Sequence, residues 1–183
     1  MGICGVKKRA VFLDRDGVLN DVVLREGKPY PPASFAELTI ADDVVSSLQE
    51  LKALNFLLIA ATNQPDVARG TTSRSRVDEI HAKLMQLLPL DDIRVCFHDD
   101  SDGCLCRKPL PGLLTMAAED YQIDLANSFM IGDRWRDVEA GQQAGCKTIW
   151  LRNEYNERGP HVPPDFTTTT LSQAVQWIKK YKE

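Results

Sequence analysis

Apolar residues along this 183-residue chain fall into short continuous runs and longer stretches at helical spacing. Residues 10–13, Ala-Val-Phe-Leu, form a run of the kind a buried strand shows. Behind Asp42-Asp43, the positions Val44, Val45, Leu48, Leu51 and Leu54 recur with helical period, and Asn55 closes that helix. Residues 56–61 are again continuously apolar and read as a second buried strand. Ser73 or Ser75 can cap a helix through Val77, Ile80, Leu84, Leu87 and Leu88, and residues 93–97 give a third strand. Pro109 and Pro111 open a helix carrying Leu113, Leu114, Met116, Ala117 and Ala118. A fourth strand over 128–131 leads to a helix over 137–144 that Gly145 stops. A fifth strand over 148–151 and an amphipathic helix over Leu171–Tyr181 complete the pattern, with 21–39 and 153–170 read as loops. Five strands alternating with helices predict one doubly wound, Rossmann-like α/β domain with a parallel sheet, spanning residues 1–183.

In such sheets ligands bind beyond the carboxyl ends of the strands, so the residues at those ends matter most. The first strand runs into Asp14 and Asp16, followed by Gly17, and the second ends in Thr62-Asn63. Arg107-Lys108 follows the third, and the fourth ends in Gly132-Asp133 with Asp137 just beyond. Taken alone, Asp14-x-Asp16-Gly17 also fits a helix cap followed by a turn. Four polar sets at four successive strand ends do not fit chance.

Asp14, Asp133 and Asp137 would crowd one crevice. Two unit charges about 4 Å apart repel by about 4 kcal/mol at an effective dielectric near 20. A hard divalent cation relieves this, and an all-oxygen ligand set points to Mg²⁺ and a phosphate substrate. Arg107 and Lys108 are then candidates to hold the remaining phosphate oxygens. An aspartate can attack phosphorus to give an aspartyl-phosphate that water hydrolyses. A second acid two residues on can pass a proton to the leaving oxygen and later take one from water.

These residues resemble the haloacid dehalogenase (HAD) superfamily of phosphohydrolases. Asp14-x-Asp16, Thr62, Lys108 and Gly132-Asp133-x₃-Asp137 match its four motifs in order and spacing. The resemblance implies Asp14 as nucleophile and Asp16 as general acid/base. It also implies Mg²⁺ on Asp14, the Asp16 carbonyl and Asp133, with Thr62, Asn63, Arg107 and Lys108 on phosphate and Asp137 and Arg134 in support. Residues 14–20 (Asp-Arg-Asp-Gly-Val-Leu-Asn), Thr62-Asn63-Gln64, Ala68-Arg69-Gly70 and Cys106-Arg107-Lys108-Pro109-x-Pro111-Gly112 are similar to the heptose-1,7-bisphosphate phosphatase branch, which shares much with the histidinol-phosphate phosphatases. The expected activity is therefore Mg²⁺-dependent hydrolysis of a small sugar phosphate, first a heptose bisphosphate, then histidinol phosphate. Pro65-Asp66 and Arg134 depart from the usual residues of that branch. The segments 21–39 and 96–106 are too short for a cap domain, so the expected active site is open. Lys28, Tyr30 and Arg69 are candidates to meet the leaving group, against a solvated-loop reading for each.

Cys96-x-His98-x₅-Cys104-x-Cys106 offers four ligands, the closed set of a structural Zn²⁺, in a loop over 96–106 inserted after the third strand. The alternative is three unpaired thiols and a surface histidine. The same branch of the family carries a similar zinc loop. Because Cys106 adjoins Arg107, fixing that loop would fix the phosphate-binding pair. Cys4 and Cys146 read as incidental, and His81 and His161 as surface or satisfied histidines. Reduced thiols in a metal-like cluster suggest the cytoplasm rather than a disulfide-forming compartment. No apolar run approaches membrane-spanning length, Met1-Gly2 lacks the rest of a myristoylation pattern, and the basic start is not followed by a signal-type apolar stretch. A net charge of −4 argues against a nucleic-acid partner. The expectation is a monomer acting on a small molecule, ahead of a nucleic-acid 3′-phosphatase or a non-catalytic zinc-stabilised binding domain.

Overall fold

The computed structural model describes residues 7–25, 28–153 and 155–181. Met1, Gly2, Cys4 and the side chain of Lys28 lie outside the described residues. Strand β1 (Arg9–Leu13) is followed by β2 (Val23–Arg25), β3 (Lys28–Tyr30), α1 (Val44–Ala53), β4 (Phe56–Asn63), α2 (Arg74–Leu87) and β5 (Asp92–Cys96). The second half runs α3 (Gly112–Tyr121), β6 (Phe129–Gly132), α4 (Trp135–Ala144), β7 (Lys147–Leu151), β8 (Phe166–Thr168) and α5 (Leu171–Tyr181). Six strands form one parallel sheet in the order β5-β4-β1-β6-β7-β8. The chain therefore builds outward from β1 to β5, then returns to the other side of β1 and continues through β6. The order reverses between β1 and β6, and a ligand crevice is expected at that point.

Both faces of β1 are buried, and its alternation assigns each residue to a layer. Val11 and Leu13 join a core with Leu48 and Leu51 of α1, Ile80 and Leu84 of α2, and Ala174, Val175 and Ile178 of α5. Ala10 and Phe12 join a second core with Leu113, Leu114 and Ala117 of α3. That two-sided burial is why the strand reads as an unbroken apolar run rather than an alternating one. Ser73 caps α2 by accepting from the Arg76 N–H, and Asn55, in the left-handed region at φ 61°, turns the chain out of α1.

Two stretches expected to be loops contain strands. Residues 21–39 hold the antiparallel β2–β3 hairpin, outside the main sheet. Residues 153–170 hold β8, a sixth, edge strand paired with β7 through Ile149↔Phe166. Among the described residues, 21–39 hold only that hairpin and a short turn at Phe35–Glu37, and 96–106 only a short turn at Asp100–Asp102 beyond the end of β5. On the β6 side, Phe129 meets Phe56, Trp177 and Tyr181 edge to face at 5.7, 6.1 and 5.8 Å, while Phe166 stacks on Trp177 at 5.3 Å. This aromatic cluster fastens α5 and β8 to the sheet. Phe129→Ala should lower unfolding free energy by about 3–5 kcal/mol in urea melts.

Candidate active site

The ends of β1 and β6 bring Asp14 and Asp133 together, and α4 adds Asp137 from its first turn. One carboxylate oxygen from each lies within 4.8 Å of the others, and all three residues are buried. Lys108 enters this cluster 2% exposed, with Nζ 2.8 Å from Asp14, 2.5 Å from Asp137 and 2.6 Å from the Ala61 carbonyl. Asp14 Oδ1 also accepts from the Arg15 N–H at 2.8 Å, so both contacts fall on one oxygen and leave Oδ2 out of them. Asp137 accepts from the Arg134 N–H at 3.0 Å on one oxygen and pairs with Lys108 through the other, so both its oxygens are engaged. Neither Asp133 oxygen accepts a well-formed hydrogen bond, although the Tyr155 hydroxyl lies near enough to interact with them.

Three buried acids face one buried cation, and the pKa values of Asp14, Asp133 and Lys108 are shifted by that imbalance. Burial, then the Asp137 charge, pushes Asp14 up to about 6 against the pull of Lys108. Burial and Asp14 push Asp133 well above the usual carboxylate range. Burial works against the Lys108 charge, yet Asp137 and Asp14 hold its pKa above the usual lysine value. The oxygen-only donor set and the orphaned Asp133 oxygens fit a hard divalent cation. Close packing at two glycines supports the geometry. A Cβ on Gly17, whose φ is 89°, would lie 2.0 Å from Asp133 Oδ2, and one on Gly132 would lie 2.1 Å from the Asp137 Cβ.

Asp14, Asp16, Thr62, Asn63, Lys108, Asp133, Arg134 and Asp137 line one cleft of about 280 Å³. Arg107 does not line it. Its guanidinium turns to Asp100 at 2.8 Å and to the His98 carbonyl at 3.2 Å, so the pairing with Lys108 suggested by adjacency does not occur at the cleft. The chain turns at this point, with the Leu110 N–H donating to the Arg107 carbonyl at 2.9 Å, and the two side chains diverge. Arg136, which the sequence reading missed, lines the cleft instead. Asn63 was expected on phosphate, but its amide is engaged by the Lys108 backbone. Nδ2 donates to the Lys108 carbonyl at 2.9 Å and Oδ1 accepts from its N–H at 3.1 Å. Asn63 therefore fixes the lysine's position.

Gln64 was also missed; its amide donates to Thr62 Oγ1 and to Asp16 Oδ2, both at 2.9 Å. Tyr30 and Arg69 line the cleft, with Arg69 paired to Asp99 at 2.5 Å, and Asn156 and Glu157 enter from the segment after β7. His161 pairs with Glu139 at 2.8 Å, and Cys146 is buried, with its thiol pushed up to about 12 by burial.

The second cluster lies beside the cleft. His98 Nδ1 is 3.5 Å from Cys96 Sγ and 3.4 Å from Cys106 Sγ, and Cys104 Sγ is 3.7 and 3.6 Å from the same two sulfurs. A tetrahedral ion at ordinary Zn–S and Zn–N lengths would separate S from S by about 3.8 Å and S from N by about 3.6 Å. The observed edges match those values and are far too long for a disulfide.

Comparison with known proteins agrees with this geometry. A HAD-hydrolase-like family model matches residues 105–174. The chain is 33% identical to D-glycero-beta-D-manno-heptose-1,7-bisphosphate 7-phosphatase of Bordetella bronchiseptica, over 82% of this chain and 83% of that protein. It is 33% identical to D-glycero-alpha-D-manno-heptose-1,7-bisphosphate 7-phosphatase of Campylobacter jejuni, over 84% of this chain and 88% of that one. The Escherichia coli K12 beta enzyme is 30% identical over 95% of each chain. A crystal structure of the B. bronchiseptica D,D-heptose 1,7-bisphosphate phosphatase, complexed with magnesium and phosphate, superimposes with a TM-score of 0.77 at 28% identity, covering 94% of this chain and 99% of that one. A parallel sheet carrying acids at these two strand tips defines a HAD-type phosphatase. Within that class, the chain belongs to the heptose-1,7-bisphosphate 7-phosphatase family.

The Asp14 environment sets a pH dependence. Its pKa of about 6 in the folded protein lies above the ordinary 3.8. Between those values Asp14 binds more protons in the folded state than in the unfolded chain, so its contribution to metal-free stability is full below about pH 4 and is lost as pH rises to about 6, by on the order of 3 kcal/mol. Urea melts of the metal-free protein should show this fall, Asp14→Asn should flatten it, and millimolar Mg²⁺ should raise the wild-type Tm at pH 7.

Proposed function

We propose that this chain hydrolyses the 7-phosphate of a D-glycero-D-manno-heptose 1,7-bisphosphate, working in the cytoplasm as a single-domain monomer. The observation that carries the reading is the buried Asp14–Lys108–Asp133 arrangement at the point where the strand order reverses. Mg²⁺ would be held by Asp14, Asp133 and the Asp16 carbonyl, and when bound supplies charge neutralisation for an anion attacking an anion. Asp14 Oδ2 attacks phosphorus, the bond to the leaving oxygen breaks, and Asp16 gives that oxygen a proton. The resulting aspartyl-phosphate is cleaved when Asp16 takes a proton from water and the hydroxide displaces Asp14, releasing inorganic phosphate. Thr62 faces the phosphoryl oxygens as a hydroxyl donor, and Lys108, whose three donors go to Asp14, Asp137 and the Ala61 carbonyl, acts on them through its charge.

Arg69, Arg134 and Arg136 line the cleft as candidate donors to the second phosphate of a bisphosphate, which would have to compete with their acid partners Asp99, Glu157 and Asp100. Histidinol phosphate has only one phosphate, and these arginines favour the sugar bisphosphate over it. The net charge of −4 disfavours nucleic acid. Cys96, His98, Cys104 and Cys106 would hold a structural Zn²⁺, whose reduced thiolates suit the cytoplasm. Among the described residues no helix is long and apolar enough to cross a membrane.

Phosphate release from both heptose bisphosphate anomers and from histidinol phosphate tests the substrate; preference for the last would overturn it. Asp14→Asn should reduce kcat at least about 10⁴-fold with the fold intact by circular dichroism. Zinc should be found by elemental analysis at one ion per chain. Cys104→Ser should lose that zinc and lower Tm by about 5 °C or more.

A further inference from the structure

Arg15, between the two aspartates of β1's end, is 1% exposed and among the largest fully buried side chains in the protein. Its Nε and Nη2 reach Asp16 Oδ1 at 3.1 and 3.0 Å, and Nη2 reaches Oδ2 at 2.9 Å. The remaining arm, Nη1, lies 3.0 Å from His81 Nε2. A guanidinium has donors and no acceptor, so His81 Nε2 must accept and the imidazole is neutral with its proton on Nδ1. Asn20 Nδ2 completes the grip on Asp16 Oδ1 at 3.0 Å.

Burying a guanidinium is costly, and an apolar side chain of similar size would stabilise this position as well or better. A planar fork gives direction to the carboxylate it holds, which an apolar side chain cannot do. Helix α2 places no residue in the cleft lining, yet through His81 it reaches the group that holds Asp16.

We propose that Arg15, buried, and His81, half-buried behind it, form a clasp that positions the Asp16 carboxylate for proton transfer. They are positioning residues, since both act only through the Asp16 carboxylate and neither lines the cleft, and the inference rests on Asp16 acting as the general acid in the function proposed above. A displaced Asp16 should slow departure of an alkoxide, which needs the proton. Departure of 4-nitrophenolate needs none.

The test is single-turnover phosphoryl transfer from a heptose bisphosphate and from 4-nitrophenyl phosphate with saturating Mg²⁺. His81→Leu should slow the sugar ester about tenfold while changing the nitrophenyl ester less than about twofold. His81→Gln, whose amide oxygen can accept from Arg15, should keep both rates. Arg15→Met should show the same selectivity at about a hundredfold; if it does not fold, the His81 pair decides alone. Equal losses on both esters, or no loss on either with His81→Leu, would overturn the clasp and leave the phosphatase reading standing. A wild-type protein inert to both esters would overturn the two together.

Discussion

A single lysine stands among three buried carboxylates, and most of the local architecture serves that arrangement. Lys108 would not stay charged at 2% exposure without Asp14 and Asp137 on either side. Asn63 clamps its backbone from the end of β4, and the Ala61 carbonyl takes its third donor. Gly17 and Gly132 remove side chains that would strike Asp133 and Asp137. What the lysine cannot do is neutralise Asp133 as well. That leftover negative charge makes the crevice a receptor for a divalent cation, and it connects the parallel sheet to phosphoryl chemistry.

The strand and helix order was readable because it rests on periodicity that survives without tertiary context. Val11 and Leu13 face one core, Ala10 and Phe12 the other, and such two-sided burial prints as a continuous apolar run. The misses have the opposite character. Residues Phe166–Thr168 are too short and too polar to announce a strand, and they pair only because Ile149, Trp150 and Leu151 of β7 offer an open edge. The β2–β3 hairpin contains Pro29 and packs outside the main sheet, so neither composition nor alternation marked it.

Site residues divide in the same way. Asp14, Asp133 and Asp137 stand at strand ends or a helix start, where the fold itself dictates their direction, while Lys108 reaches them from a turn between β5 and α3. Asn63 and Arg107 have the right chemistry for phosphate, but their direction depends on neighbours no local pattern reveals. Asn63 turns to the Lys108 backbone, and Arg107 turns to Asp100. Arg15 was legible only as a charge between two acids; its burial and its reach to His81 depend on α2 packing behind it. Arg136 and Glu157 were missed because a helix start and an irregular segment become cleft walls only in three dimensions.

The Cys/His loop was expected to act on the cleft through the bond between Cys106 and Arg107, but the contacts follow a different route. Two acids of that loop, Asp99 and Asp100, face outward from a short turn that Gly103 ends at φ 61°. Asp99 holds Arg69 at 2.5 Å, and Asp100 holds Arg136 at 3.2 Å as well as Arg107. Each is an exposed ion pair worth at most about 1 kcal/mol, too little to order a loop unaided. A tetrahedral ion held by these four side chains within eleven residues would supply the missing rigidity. The metal would then stiffen the acids, the acids would aim the arginines, and the arginines would shape the end of the cleft away from Asp14. A loop that makes no contact with the reacting phosphoryl group could in this way decide which substrate fits beside it.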